Sequence, residues 1–232
     1  MSRKSKLNLI LIASGRGTDA TAIMAAWRNG RIPEVSNIIL VSTCAEAECL
    51  ERAAEHGVKA ITLVPPNNPL TSEDMPIYQD ALAQVVKEHD ADMIFLVGCN
   101  VIMPLIMGVP MFNIHPAHTI LHGGYRMHGL RPHLHVLAAI QDEISRGMKK
   151  LGRDTFFTYP TVHEVTEVVD GGPPLLQVPV EIPEEIIRWY DISKVGAAEL
   201  LQKHVLPFEW EMLPKAVSLA AGQILSGSRS IP

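Results

Sequence analysis

The sequence predicts an α/β protein: a Rossmann-like open, mostly parallel sheet with flanking helices and a C-terminal β-hairpin. Three observations carry that prediction. Short apolar runs alternate with helix-patterned stretches through the first half of the chain, the order that builds a parallel sheet covered on both faces. A glycine-rich turn, Ser14-Gly15-Arg16-Gly17-Thr18-Asp19, joins the first run to the first helical pattern. In the second half, two stretches of strand composition flank the turn sequence Asp170-Gly171-Gly172-Pro173.

Leu7 to Ala13 is a continuous apolar run, as a strand buried on both faces requires. Ala20 to Trp27 reads as helix, with Gly30 beyond its end. Asn37 to Ser42 is a second strand, and Ala45 to His56 a helix closed by Gly57. Ala60 to Val64 is a third strand. After a loop rich in Pro and Asn, Thr71-Ser72-Glu73-Asp74 offers an N-cap for a helix to about His89. Asp92 to Val97 and Met111 to Ile114 are the fourth and fifth strands. The span from Met93 to Phe112 is long enough to cross a bilayer. Gly98, Asn100, Pro104, Gly108 and Pro110 divide it, so it reads as strand, turn and strand in a sheet.

The second half changes character. Ala117 to Arg131 reads as a polar loop, and His133 to Ser145 as helix, with Pro132 suited to its first turn. Residues 155–182 read as a hairpin, Thr155 to Val169 and Leu175 to Ile182 being its arms. A helix is expected from Glu184 to His204, a break at Pro207, a second helix from Glu209 to Leu225, and a frayed tail after Ser226.

Composition excludes several function classes. The formal net charge is −5, the wrong sign for a nucleic-acid surface, and aromatic residues make up only 5% of the chain, too few for base-stacking platforms. Cys44, Cys49 and Cys99 fit neither a disulfide framework nor a zinc knuckle. The basic stretch Met1 to Lys6 runs into a short apolar segment and a glycine turn, so a cytoplasmic protein without a signal peptide is expected. His118, His122 and His128 have no fixed spacing, and His133 and His135 diverge on a helix, so no metal is expected.

Two segments carry chemistry. Asn113 and His115 sit two apart on a strand, so both side chains leave one face, and Pro116 ends the strand beside them. An amide donor next to an imidazole suits an oxygen that is gaining negative charge. The plainer alternative is a strand end whose polar groups serve local backbone. Gly15-Arg16-Gly17-Thr18-Asp19-Ala20 has the spacing of a dinucleotide loop. The next strand ends Val41-Ser42-Thr43-Cys44 with no acid for a ribose, which disfavours NAD. Another phosphate or carboxylate, attracted by Arg16 and repelled by Asp19, or a purely structural turn, stays open. Asp170 is at home in a turn for local reasons, and a carboxylate near His115 would raise its pKa.

Assembled, these pieces resemble the folate-dependent formyltransferases, phosphoribosylglycinamide formyltransferases most of all. The resemblance rests on Ser14-Gly15-Arg16-Gly17-Thr18, Asn113-Ile114-His115-Pro116-Ala117, Gly129-Leu130 with His133, Thr161-Val162-His163, Asp170-Gly171-Gly172-Pro173, Leu176-Gln177 with Val180, and Gln202-Lys203-His204. It implies a formyltransferase fold over residues 1–232 as one domain, with a nucleotide-binding-type half, 7–116, and a folate and catalytic half, 117–225. It implies 10-formyltetrahydrofolate as formyl donor and a small-molecule amine as acceptor. The implied catalytic residues are Asn113, His115 and Asp170, with His115 held protonated by Asp170. The implied folate contacts are Ile102, Met111, Val165, Val169 and Asp170; the implied acceptor contacts are Gly15, Arg16, Gly17, Thr18 and Lys203. No nucleic acid, membrane or metal partner is implied, and the chain is expected to be a monomer or homodimer. Several positions depart from the family pattern. Asp19 replaces an asparagine and Lys203 a glutamate; Gly98-Cys99-Asn100-Val101 and His118-Thr119-Ile120 differ, and residues are added in 118–128 and 141–157. Gly98 to Val101 belongs to the folate cleft, while Asp19 and Lys203 alter the acceptor contacts, so glycinamide ribonucleotide, an N5-hydroxyornithine-type amine and an amino sugar are all carried as acceptors. A non-catalytic small-molecule-binding protein is the more distant alternative.

Overall fold

A computed structural model describes residues 4–228; Met1 to Arg3 and the tail from 229 to 232 lie outside the described residues. The chain forms β1 (Leu7–Ala13), α1 (Thr18–Arg28), β2 (Val35–Ser42), α2 (Glu48–Glu55), β3 (Lys59–Thr62), α3 (Asp74–Glu88), β4 (Met93–Leu96) and β5 (Met111–His115). It continues through α4 (Thr119–His122), α5 (Arg131–Ser145), β6 (Phe157–Thr158), β7 (Thr161–Glu164), β8 (Pro174–Gln177), β9 (Val180–Glu181), α6 (Glu184–Trp189) and α7 (Lys194–Ser226).

Seven strands make one sheet in the order β3-β2-β1-β4-β5-β7-β8, and β6 pairs with β9 in a small second sheet. The strands from β3 to β5 are parallel, and β5, β7 and β8 pair antiparallel. Strand order reverses between β1 and β4, so the loops after these two strands part and leave a crevice at their carboxyl ends. Ser14 N–H bonds Gly98 O at 3.2 Å and Ser14 Oγ accepts from Asn100 N–H at 2.9 Å, tying the two loops at that edge.

Alternation along β1 explains the two-sided core. Leu7, Leu9, Leu11 and Ala13 face a cluster with Ile23 and Met24 of α1 and Leu213 and Val217 of α7. Ile10 and Ile12 face Tyr78, Leu82 and Val85 of α3. A third cluster joins α5, α6 and α7 around Leu137, Phe156, Ile187 and Leu201. Among the described residues no helix is long and apolar enough to cross a membrane.

Three expectations are corrected. The stretch 117–131 contains a helical turn, α4, rather than loop alone. The first hairpin arm is not one strand: Pro160 lacks an N–H for the ladder, and the chain divides there into β6, which joins β9, and β7, which joins the main sheet. The C-terminal break falls near Tyr190 to Ser193, not at Pro207. Ser193 is extended and its Oγ accepts from Gly196 N–H at 3.1 Å, a side-chain N-cap that starts α7. Helix α7 then runs through Pro207 and Pro214. A proline inside a helix costs about 3 kcal/mol. The fully buried Leu201, Val205, Leu213 and Val217, each worth about 1.5–3 kcal/mol, outweigh it.

Candidate active site

The antiparallel pairing of β5 with β7 builds the first part of the site. Its register sets Asn113 opposite His163 and His115 opposite Thr161. Asn113 Nδ2 lies 3.2 Å from His163 Nε2. The loop 165–173 returns over the carboxyl end of β5, fixed at its start by Val165 N–H to Met111 O at 2.8 Å. That loop delivers Asp170 between the two histidines. One carboxylate oxygen, Oδ2, lies 3.4 Å from His115 Nδ1; the other, Oδ1, lies 3.4 Å from His163 Nε2. All three side chains are buried, the carboxylate being only 8% exposed. Asp170 adopts φ 55, a left-handed conformation that Asp and Asn tolerate better than other side chains.

The segment after β5 closes the other side. His115 Nε2 donates to the carbonyl of His122 at 2.9 Å, and Gly124 N–H donates to Asp170 Oδ2 at 2.8 Å. A side chain at Gly123 would lie 2.9 Å from Asp170 Cβ, so glycine allows this approach. Because a carbonyl only accepts, His115 carries its hydrogen on Nε2, and its Nδ1 edge is the one turned to Asp170. His163 Nδ1 donates to Glu164 O at 2.8 Å. Its Nε2 therefore accepts from Asn113 when the ring is neutral, and donates to Asp170 when the ring is protonated.

Electrostatics corrects one expectation. Burial drives the His115 pKa down, and the opposing influence of Asp170 and the His122 carbonyl does not restore it; His163 lowers it further. His115 is therefore a neutral base at rest, not a standing cation. For Asp170, burial by itself would raise the pKa. The His163 bond, the charge interaction with His115 and the Gly124 N–H outweigh burial and hold the carboxyl below its ordinary value. Nearby, burial and then the neighbouring His135 and His118 push His122 down to about 4, and burial pushes His133 down to about 4. His122 Nδ1 meets His135 Nδ1 at 3.0 Å. Among the described residues no group of three or more His, Cys, Asp or Glu side chains could hold a metal ion.

The glycine turn forms the second part. Gly17 is left-handed, at φ 70, and caps α1 by its backbone; a side chain there would lie 2.8 Å from Cys49 Cα. Gly15 and Arg16 are exposed and Thr18 opens the helix, so the first-turn N–H groups of α1 face the crevice edge. The Asp19 carboxyl packs against Trp210 and Glu209, both on α7, and also interacts with the Arg16 charge; Oδ1 is buried without a hydrogen-bond partner. Burial raises Asp19 to about 6, against the opposing Trp210 contact and Arg16 charge, while burial and then the Asp19 charge hold Glu209 well above the ordinary carboxylate range. Lys203 is exposed on α7, six residues before Glu209, about 9 Å along the helix axis.

The structure thus brings Asn113, His115 and Asp170 together, with His163 as the link between Asn113 and Asp170. His163 is the group to which the sequence assigned no role, although it stands in the Thr161-Val162-His163 stretch that carries the family resemblance. The backbone of His122 and Gly124 had no sequence signal. Of the folate candidates, Met111 is buried and Val165 packs against the same apolar cluster; Val169 is half-buried beside Asp170, and Ile102 is 40% exposed.

Residues 7–187 match the family model described as formyl transferase. The chain is 26% identical over 208 residues to phosphoribosylglycinamide formyltransferase of Saccharomyces cerevisiae, covering 82% of this chain and 91% of that one. It is 24% identical over 180 residues to the Escherichia coli enzyme of the same name, covering 76% and 74%. Among solved structures, glycinamide ribonucleotide transformylase 1 from Symbiobacterium toebii superposes with a TM-score of 0.68 at 27% identity, over 95% of this chain and 90% of that one.

Proposed function

Since this chain belongs to the formyl transferase family, we propose that it moves the formyl group of 10-formyltetrahydrofolate onto the amine of glycinamide ribonucleotide, the acceptor that its relatives' names indicate. The observation that carries this reading is the Asp170 carboxylate set between His115 and His163, with Asn113 alongside, at the carboxyl end of β5. The residues fit a folate donor: Val165 packs on the apolar cluster that contains Met111 of β5, and Val169 flanks Asp170 on the returning loop.

The acceptor amine attacks the formyl carbon, whose oxygen becomes an oxyanion. Asn113 donates an N–H to that oxygen. His115, neutral at rest, takes the proton shed by the amine at Nδ1, the edge not occupied by a backbone carbonyl. The resulting imidazolium is stabilised by the Asp170 carboxylate beside its Nδ1, and its positive charge in turn stabilises the oxyanion. Breaking the bond from the formyl carbon to the folate nitrogen returns the proton to that nitrogen. No enzyme nucleophile enters.

On the acceptor side, the N–H groups of the Gly15 to Thr18 turn and the Arg16 guanidinium receive the phosphate, with Lys203 of α7 as a further acceptor contact. Burial of Asp19 supports a phosphate acceptor, because it disfavours the charged carboxylate and so weakens its repulsion of an anion at the turn. The reading places one domain over residues 1–232, its 7–116 half holding the acceptor phosphate and its 117–225 half the folate. Incubation with the donor and a panel of amines (glycinamide ribonucleotide, N5-hydroxyornithine and an amino-sugar nucleotide), following tetrahydrofolate release, tests it. Turnover is expected with glycinamide ribonucleotide. Turnover with another amine alone would reassign the acceptor, and no turnover or folate binding would remove formyl transfer from this chain.

A further inference from the structure

We propose that a trough on the outer face of α1, between α2 and α7, is a second small-molecule site that takes a flat aromatic anion: a ring system bearing a phosphate or carboxylate. Helix α1 makes the floor. Its Thr18, Thr21, Ala22 and Ala25 recur at helical spacing, so small side chains line one face. Arg52 of α2 and Trp210 of α7 line the trough beside it, as does Arg31 just beyond the end of α1. The cavity measures about 340 Å³, at the small end of the range for ligand sites, and suits a bicyclic body rather than a dinucleotide.

These side chains set the chemistry. Trp210 packs against the Asp19 carboxyl, and the residue remains 38% exposed. An exposed indole stacks flat apolar groups. Both cations have unspent donors. Arg52 reaches Glu48 only at 3.6 Å, and its Nε is buried with no hydrogen-bond partner. Arg31 makes no ion pair among the described residues. Guanidinium groups present forked donors that match phosphate and carboxylate oxygens. Two of them at the rim of a small-residue trough, together with an exposed indole, complement an aromatic anion in shape and charge. Of the groups proposed for formyl transfer, Thr18 borders this trough and Asn113, His115 and Asp170 do not.

Titration calorimetry of the full chain with 1-naphthyl phosphate tests the proposal, with 2-naphthol as the uncharged comparison. One-site binding is expected with a Kd below about 1 mM. 2-Naphthol should bind at least tenfold more weakly. The double variant Arg31→Gln, Arg52→Gln should weaken 1-naphthyl phosphate at least tenfold, and Ala25→Leu, which fills the trough without changing charge, should do the same. The Gln variants alter surface groups, so the result does not hang on a core substitution. No saturable binding, or binding that both variants leave intact, would overturn the proposal. Displacement by inorganic phosphate with no effect of the Arg variants would place the probe at the glycine turn instead, and would also overturn it.

Discussion

Replacing Asp170 by Asn isolates the charge of the carboxylate. The amide has nearly the same shape, and Asn tolerates the left-handed backbone at φ 55 as readily as Asp. The carboxylate oxygen stands 3.4 Å from His115 Nδ1, and both side chains are more than nine-tenths buried. At an effective dielectric constant of about 20, unit charges at that distance attract by about 5 kcal/mol. The charge on His115 exists only once it has taken the amine's proton, so the attraction acts on the transition state and not on the resting enzyme. The amide dipole recovers part of it. The remaining loss of about 4 kcal/mol corresponds to roughly a 1,000-fold fall in kcat/KM. Steady-state kinetics of tetrahydrofolate release reads this directly. A second readout separates charge from shape: Asp170 raises the His115 pKa against the stronger effect of burial, so the acid limb of the pH–rate profile, already below 6.5, should move lower still in the variant. A loss of less than about tenfold, worth about 1.4 kcal/mol, with an unmoved acid limb, would refute a role for the carboxylate in stabilising the imidazolium.

Acid should destabilise the fold through its buried histidines. His133 is 1% exposed and its pKa is lowered by burial to about 4. The unfolded chain therefore binds the proton first, and stability present above pH 6.5 is lost as pH falls toward 4, by about 3 kcal/mol for this group. His133→Gln, followed by urea unfolding at pH 7 and pH 4.5, should lose less stability between the two pH values than the parent; an equal loss would exclude His133. Gly172→Ala should destabilise by at least about 2 kcal/mol, because its new Cβ would lie 2.8 Å from the Glu164 carbonyl carbon; an unchanged urea midpoint would contradict the close approach. Pro207 is exposed within α7. Pro207→Ala should restore a helix N–H and raise stability by about 1–3 kcal/mol, and a lower thermal midpoint would contradict this.

Much of the fold was legible because it follows from local periodicity. The apolar runs at Leu7 to Ala13 and Met93 to Leu96 could only be strands covered on both sides, and the helices between them imposed parallel order. Asn113, His115 and Asp170 stood out by residue type and by the turn around Asp170, and the family resemblance gave them roles. The loop with two prolines and two glycines after β4 was equally plain as a bend in a sheet.

What escaped the sequence depends on neighbours distant in the chain. Pro207 reads locally as a helix break, but burial of Leu201, Val205 and Leu213 outweighs the missing hydrogen bond. His163 joins the site only because the β5–β7 register sets it opposite Asn113. The charge of His115 could not be read at all: a nearby carboxylate argued for protonation, while the depth of burial, which only the packed structure fixes, decided for the neutral ring. Asp19, which on paper repels a phosphate, is buried against Trp210 and Glu209 by the packing of α7 on α1. The sequence by itself determined which chemistry this chain carries. Tertiary packing decided the protonation states and the pairing of its charges, because desolvation and pair distances arise only when remote segments meet.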